Sequence, residues 1–151
     1  MINYYDKQRQ FKLNLAAFGL FLIFVLNVNN NSAQKNFVSE ADVKFENEAY
    51  FTAIDLYKKG EVKEKDIREK GRINFQLAEC YRYSVEPAQA QTYYQRAIKL
   101  KFQEENQEIF LLLADVLKEQ GEYQSALENI NKFLELNPED KKASDALVSC
   151  K

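Results

Sequence analysis

Residues 107–140, QEIFLLLADVLKEQGEYQSALENINKFLELNPED, constrain the fold more than any other stretch of the chain. Phe110, Leu113, Ala114 and Leu117 recur at helical spacing, and after Gly121 and Tyr123 so do Ala126, Ile130 and Phe133. That period places each set on one face of a helix. Gly121 falls between the two sets, where a tight or left-handed turn is needed. Pro138 follows the second set, where no further backbone donor is wanted. The spacing therefore predicts a helix–turn–helix, with the small Ala114 and Ala126 where its helices cross closely. One such unit cannot bury its own faces, so copies of it are expected along the chain.

Copies are present. Shifted back by 36 residues, Leu77, Ala78 and Tyr81 take the places of Leu113, Ala114 and Leu117, and Ala90, Tyr94 and Ala97 those of Ala126, Ile130 and Phe133. The turn of this copy is SVEP, with Pro87 suited to the start of a helix. A further shift of 37 finds Ala53 and Tyr57, preceded by Ala41 at the small position and flanked by Phe37 and Phe45. Glu40 and Lys44 replace the usual apolar pair there, so this copy is degenerate, as a terminal repeat can be. Beyond the third copy, Ala143, Ala146, Leu147 and Cys150 share one face of a closing helix over 138–150. Asn137 is expected to cap it, Pro138 to take its first position, and Glu139 and Asp140 to face the positive end of its dipole.

The order of small and apolar residues in these copies is similar to a tetratricopeptide repeat, whose period is about 34 residues. The expected fold is all-α: a tetratricopeptide-like solenoid of three helix pairs (35–70, 71–106 and 107–140) closed by the helix 138–150.

Residues 1–33 read differently. Lys7, Arg9 and Lys12 precede an apolar run whose uninterrupted part, Leu15–Leu26, has 12 residues, and NNNSAQ follows. A positive start, a short apolar centre and a small-residue exit describe a secretory signal peptide, with cleavage expected after Ala33. The run is shorter than the roughly 20 residues of a spanning helix. The alternative is an uncleaved anchor, and in that case alone the chain touches a membrane. Both readings put the folded part in the periplasm or cell envelope. Removing 1–33 takes three basic groups and one acid, which moves the net charge from −2 to −4.

Composition narrows the chemistry. The chain has no histidine, so the commonest general base and the commonest metal ligand are both missing. Gly60, Gly71 and Gly121 are too dispersed for a phosphate loop. No paired carboxylates stand out, and a net charge of −2 does not favour nucleic acid. We expect no enzyme activity, no catalytic residues, no cofactor and no metal. Cys80 and Cys150 sit two repeats apart, on the order of 20 Å for helices stacked at 8–10 Å, so two free thiols are expected. Residues 58–72 hold seven basic and four acidic side chains and read as a solvated linker running into the next helix, with i,i+4 pairs; the alternative is a basic patch for an acidic partner.

What remains is binding. In tetratricopeptide folds the first helix of each pair lines a concave face, and the resemblance carries this over position by position. It implies a partner-binding set of Phe45, Arg72, Phe75, Glu79, Arg82, Tyr83, Leu111, Asp115 and Lys118. Three rows result: Val38, Phe75 and Leu111 are apolar, Asp42, Glu79 and Asp115 acidic, Phe45, Arg82 and Lys118 long and mostly basic. An apolar stripe flanked by charge suits a protein or peptide segment in a groove. The Lys/Asn clamp with which some tetratricopeptide proteins hold a C-terminal carboxylate has Asp, Glu, Phe and Leu at its positions here.

The segment ADVKFENEAYFTAIDLYKKG (41–60), behind a leader ending in SAQ, resembles the start of OmpA-family envelope proteins of type IX secretion and gliding systems. In that family a tetratricopeptide domain precedes a propeller-like region and a peptidoglycan-binding domain, and neither of these has a counterpart in the 151 residues here. The resemblance implies an exported adaptor that holds a protein partner within an envelope assembly. The alternative is a repeat module that associates with its own copies and has no peptide groove.

Overall fold

The computed structural model describes residues 37–149. Helix α1 is the segment 37–46. It is followed by α2 (Tyr50–Lys63), α3 (Ile67–Tyr83), α4 (Pro87–Lys99), a 3-10 turn (Phe102–Glu104), α5 (Ile109–Glu119), α6 (Tyr123–Leu136) and α7 (Lys141–Ser149). There is no strand among the described residues. Three antiparallel pairs, α1–α2, α3–α4 and α5–α6, stack into a tetratricopeptide-like solenoid that α7 closes, which is the fold expected from the repeats. The proposed leader 1–33 and Cys150 lie outside the described residues.

The alanines are what let the pairs close up. Ala41, Ala53, Ala78, Ala90 and Ala126 are fully buried, and Ala114 is within one per cent of it. At each position a larger side chain would hold the crossing helices apart. Tyr57, Tyr94, Leu77, Leu117 and Ile130 fill the space between the pairs.

The three turns inside the pairs share one geometry. In each, a backbone N–H reaches back five residues (Ala49 to Lys44, Glu86 to Tyr81, Glu122 to Leu117), and the preceding N–H reaches back three (Glu48 to Phe45, Val85 to Arg82, Gly121 to Lys118). These are the two bonds of a Schellman ending, which requires a left-handed residue. That residue is Glu48 (φ 58°), Val85 (φ 59°) and Gly121 (φ 77°) in turn. Gly121 was legible from sequence. Val85 was not, because a β-branched side chain rarely adopts this conformation. The turn must form there to bring α4 back against α3.

The link between the second and third pairs is pinned from below. A Cβ on Gly71 would stand 3.4 Å from the Phe102 Cβ and 3.6 Å from the Leu100 Cβ, so the linker lies directly on α3. Across it Arg68 and Glu105 form an ion pair.

Two expectations for the closing helix need correction. It begins at Lys141, and its cap is Asp140, whose Oδ1 accepts the Ala143 N–H at 2.8 Å. Asn137 instead donates to the Phe133 carbonyl and to Gln107. Pro138 and Glu139 form the turn before the helix, because Asp140 can satisfy the free amides and Asn137 is already engaged with α6. Ala143 is buried and Ala146 and Leu147 are partly buried against the core, as the shared face implied. Val148, aligned with Ala114, is 73% exposed. No helix among the described residues crosses α7 as α6 crosses α5.

Candidate functional site on the first helices

The acidic row is where structure and register part. On α1, Asp42 accepts the Tyr57 hydroxyl at 2.6 Å and two bonds from Arg72 at 3.1 and 3.3 Å. Arg72 also holds Glu69 at 2.8–3.2 Å, so it ties α3 to α1. One repeat on, Glu79 accepts the Tyr94 hydroxyl and two bonds from Arg82, at 2.7 and 3.1 Å. Both acids meet a tyrosine 15 residues later, on the second helix of the same pair. In the third pair that tyrosine is replaced by Ile130, and Asp115 turns outward to Lys118 at 2.6 Å.

The consequence is a difference in burial. Glu79 is 8% exposed, whereas Asp115 is exposed. Burial first, then the neighbouring carboxylate, holds the Tyr57 and Tyr94 hydroxyls well above the usual phenol range. The hydrogen bonds that Arg82 donates to Glu79 hold its guanidinium above the ordinary value. Glu79 and Arg82 are thus a positioned pair, satisfied inside the fold, and they shape the face more than they present themselves on it.

The apolar row also divides. Val38 is buried. Phe75 is half-buried, with its ring 5.0 Å from Phe102 and 6.0 Å from Tyr94. Leu111 is half-buried against the core. A second apolar patch, absent from the sequence reading, lies at the turn end of the face. Phe45 stands edge-on to Tyr50 (5.6 Å) and Tyr83 (6.0 Å), and Tyr50 stacks on Tyr83 at 5.1 Å. The Arg82 guanidinium covers Tyr83 at 4.2 Å. Tyr83 keeps 48% of its surface exposed. Tyr50 is the face residue the sequence reading missed; Tyr57 and Tyr94 were read as core positions, without their bonds to the acids of the first helices. The repeated acid–tyrosine spacing was the signal that could have found those bonds.

The structure therefore brings Phe45, Arg82 and Tyr83 into one cluster, with Glu79 beneath it. Arg72 joins Asp42 on the first pair, Phe75 sinks toward the linker, and Leu111, Asp115 and Lys118 stay together on α5. Two clefts lie elsewhere. One of about 450 Å³ is lined by Ile67, Arg68, Leu100, Lys101, Phe102, Glu104 and Glu105. The other, about 320 Å³, lies between α4, α5 and α6. None of the nine expected residues lines either cleft. Cys80 is fully buried as a free thiol. Among the described residues, no group of three or more Cys, Asp or Glu is placed to hold a metal, and no helix is long and apolar enough to cross a membrane.

This architecture defines a helical-repeat solenoid. Its repeats can be named: residues 71–104 and 107–140 match the tetratricopeptide repeat model. Comparison with curated protein sequences gives no match. Among solved structures, the first tetratricopeptide domain of Spaghetti (RPAP3) bound to the HSP90 peptide SRMEEVD is similar, with a TM-score of 0.65 and 18% identity over 78% of this chain and 89% of that one. The second tetratricopeptide domain of human RPAP3 in complex with the HSP70 peptide SGPTIEEVD gives 0.66 and 17% over 80% and 97%. The Yersinia enterocolitica type III secretion chaperone SycD, in complex with a peptide of the translocator YopD, gives 0.65 and 15% over 79% and 92%. At these identities the likeness is one of fold.

Proposed function

We propose that this protein is a non-enzymatic adaptor that holds a segment of a partner protein on the face of its first helices. The observation that carries the reading is the aromatic cluster of the half-buried Phe45 and Tyr50 with the exposed Tyr83, at the turn end of the set of first helices that also carries the half-buried Leu111 and the Asp115–Lys118 pair. Three solved domains of the same fold are each described in complex with a peptide. Glu79 is buried and Arg72 bridges Asp42 and Glu69, so the contacts fall to Tyr83, Phe45, Leu111 and the Asp115–Lys118 pair, whose acid is the most exposed of the three in its row. Export to the periplasm or envelope, and a place in a secretion or gliding assembly, rest on the leader-like residues 1–33 and on the resemblance of 41–60.

A photo-crosslinking residue placed at Tyr83 and, separately, at Lys118 in the producing cell tests this. Both positions should trap the same partner, and the exposed Glu139 on the turn before α7 should not. Absence of an adduct at 83 and 118, or the same adduct at all three positions, overturns the reading.

A further inference from the structure

The second helices carry an internal comparison that points to another site. Between α2, α3 and α4, Tyr81 and Tyr93 stack at 5.4 Å with their planes 13° apart. Lys58 covers the outer side of Tyr81 at 5.4 Å, and Arg96 covers Tyr93 at 4.9 Å. The space between successive second helices is thus filled by two rings between two cations, and both tyrosines are at most 8% exposed.

One repeat further on, the same four positions carry Gln95, Leu117, Asn129 and Lys132. All four line the cleft of about 320 Å³ between α4, α5 and α6. The cleft is therefore what remains when the ring pair is removed and the frame around it is kept. Its floor is apolar, with Leu113 3% and Leu117 1% exposed. An apolar cavity of about 150 Å³ already takes a benzene ring, so the space suffices for a phenol with its stem.

We propose that this cleft is a pocket for a tyrosine side chain of a partner polypeptide, seated where the preceding repeat seats its own ring pair. The ring would rest on Leu117 beside Asn129. Lys132 stands where Arg96 covers Tyr93 and supplies the cation for the outer ring face. Gln95 stands where Lys58 meets Tyr81 and offers a polar group to the hydroxyl. The inference is independent of the first-helix face, because none of the nine residues assigned there lines this cleft.

The test is a titration of the full chain with 4-methylphenol and with N-acetyl-tyrosine methylamide, followed by methyl and side-chain amide NMR. Shifts are expected at Leu113, Leu117 and Asn129, and N-acetyl-leucinamide should produce none at equal concentration. Asn129→Tyr fills the cleft as the preceding repeat does and should weaken binding at least tenfold. Lys132→Ala, on the exposed rim, should weaken it about two- to fivefold. It serves as the second variant should Asn129→Tyr not fold. Absence of shifts, equal response to the leucine probe, or unchanged affinity in both variants overturns the proposal. So does concentration-dependent broadening of the same signals without any probe, which would assign the cleft to a second copy of the chain.

Discussion

The second and third helix pairs share a register and differ in what they do with polarity. In the second, Glu79 is drawn inward by Tyr94 and Arg82, Cys80 is buried beside it, and Tyr81 and Tyr93 close the outer side. In the third, Ile130, Val116, Leu117 and Asn129 take the places of Tyr94, Cys80, Tyr81 and Tyr93. With no hydroxyl to receive it, Asp115 turns to Lys118 at the surface, and the outer side stays open. A position on a helix fixes where a side chain begins. The facing helix decides where it ends, because a buried charge needs a donor waiting for it.

The strongest way to break this contrast is to raise the pH. Burial, then the neighbouring Glu79, pushes the Cys80 thiol up to about 12 from its ordinary 9.0, and burial likewise raises Tyr57 and Tyr94. A group with a raised folded-state value stabilises the fold fully below its unfolded value and loses that contribution as pH climbs through the window. Each such group costs about 1.4 kcal/mol per pH unit there. The Tm should hold to about pH 8.5 and fall steeply from pH 9 upward, and Cys80→Val should delay the onset. A flat Tm to pH 11 would show that these groups are not held as described.

Tyr94→Phe comes next. It leaves Glu79 buried with Arg82 alone, and urea unfolding should show a loss of about 2–3 kcal/mol. A loss below 0.5 kcal/mol would mean the acid can escape to water, as Asp115 does. At the turns, Val85→Gly should stabilise by about 1 kcal/mol and Gly121→Val should destabilise by a similar amount, since only the left-handed residue differs. If both changes are neutral, the shared turn geometry is not fixed in solution. The smallest effect belongs to Asp115→Ala. An exposed pair contributes little, so its unfolding free energy should move by less than about 0.5 kcal/mol.

The fold was legible because it rests on volume. Ala41, Ala78 and Ala114, matched by Ala53, Ala90 and Ala126, recur where helices cross, and no reading of their neighbours changes what they permit. The face was legible only in part, because rows drawn along the first helices take no account of the second ones. Tyr94 draws Glu79 off the presented surface, Tyr57 and Arg72 tie down the part-exposed Asp42, and Ile130 leaves Asp115 exposed. Phe75 follows the same logic, since the linker residue Phe102 covers it. The cap of α7 failed for a local reason: Asn137 and Asp140 are both good caps, and the Phe133 carbonyl had already engaged the first.

Gly71 has a consequence of scale. With only a hydrogen there, Leu100 and Phe102 rest on the backbone of α3, and the third pair begins at a fixed height above the second. A small residue at this position thus sets the pitch of the winding, as a shim sets the spacing of a thread. A methyl would be accommodated at 3.4 Å, but a longer side chain would lift the linker and advance every later turn. Tyr83 and Leu111 would then drift apart while each pair stayed intact, and a segment long enough to span both would lose its fit.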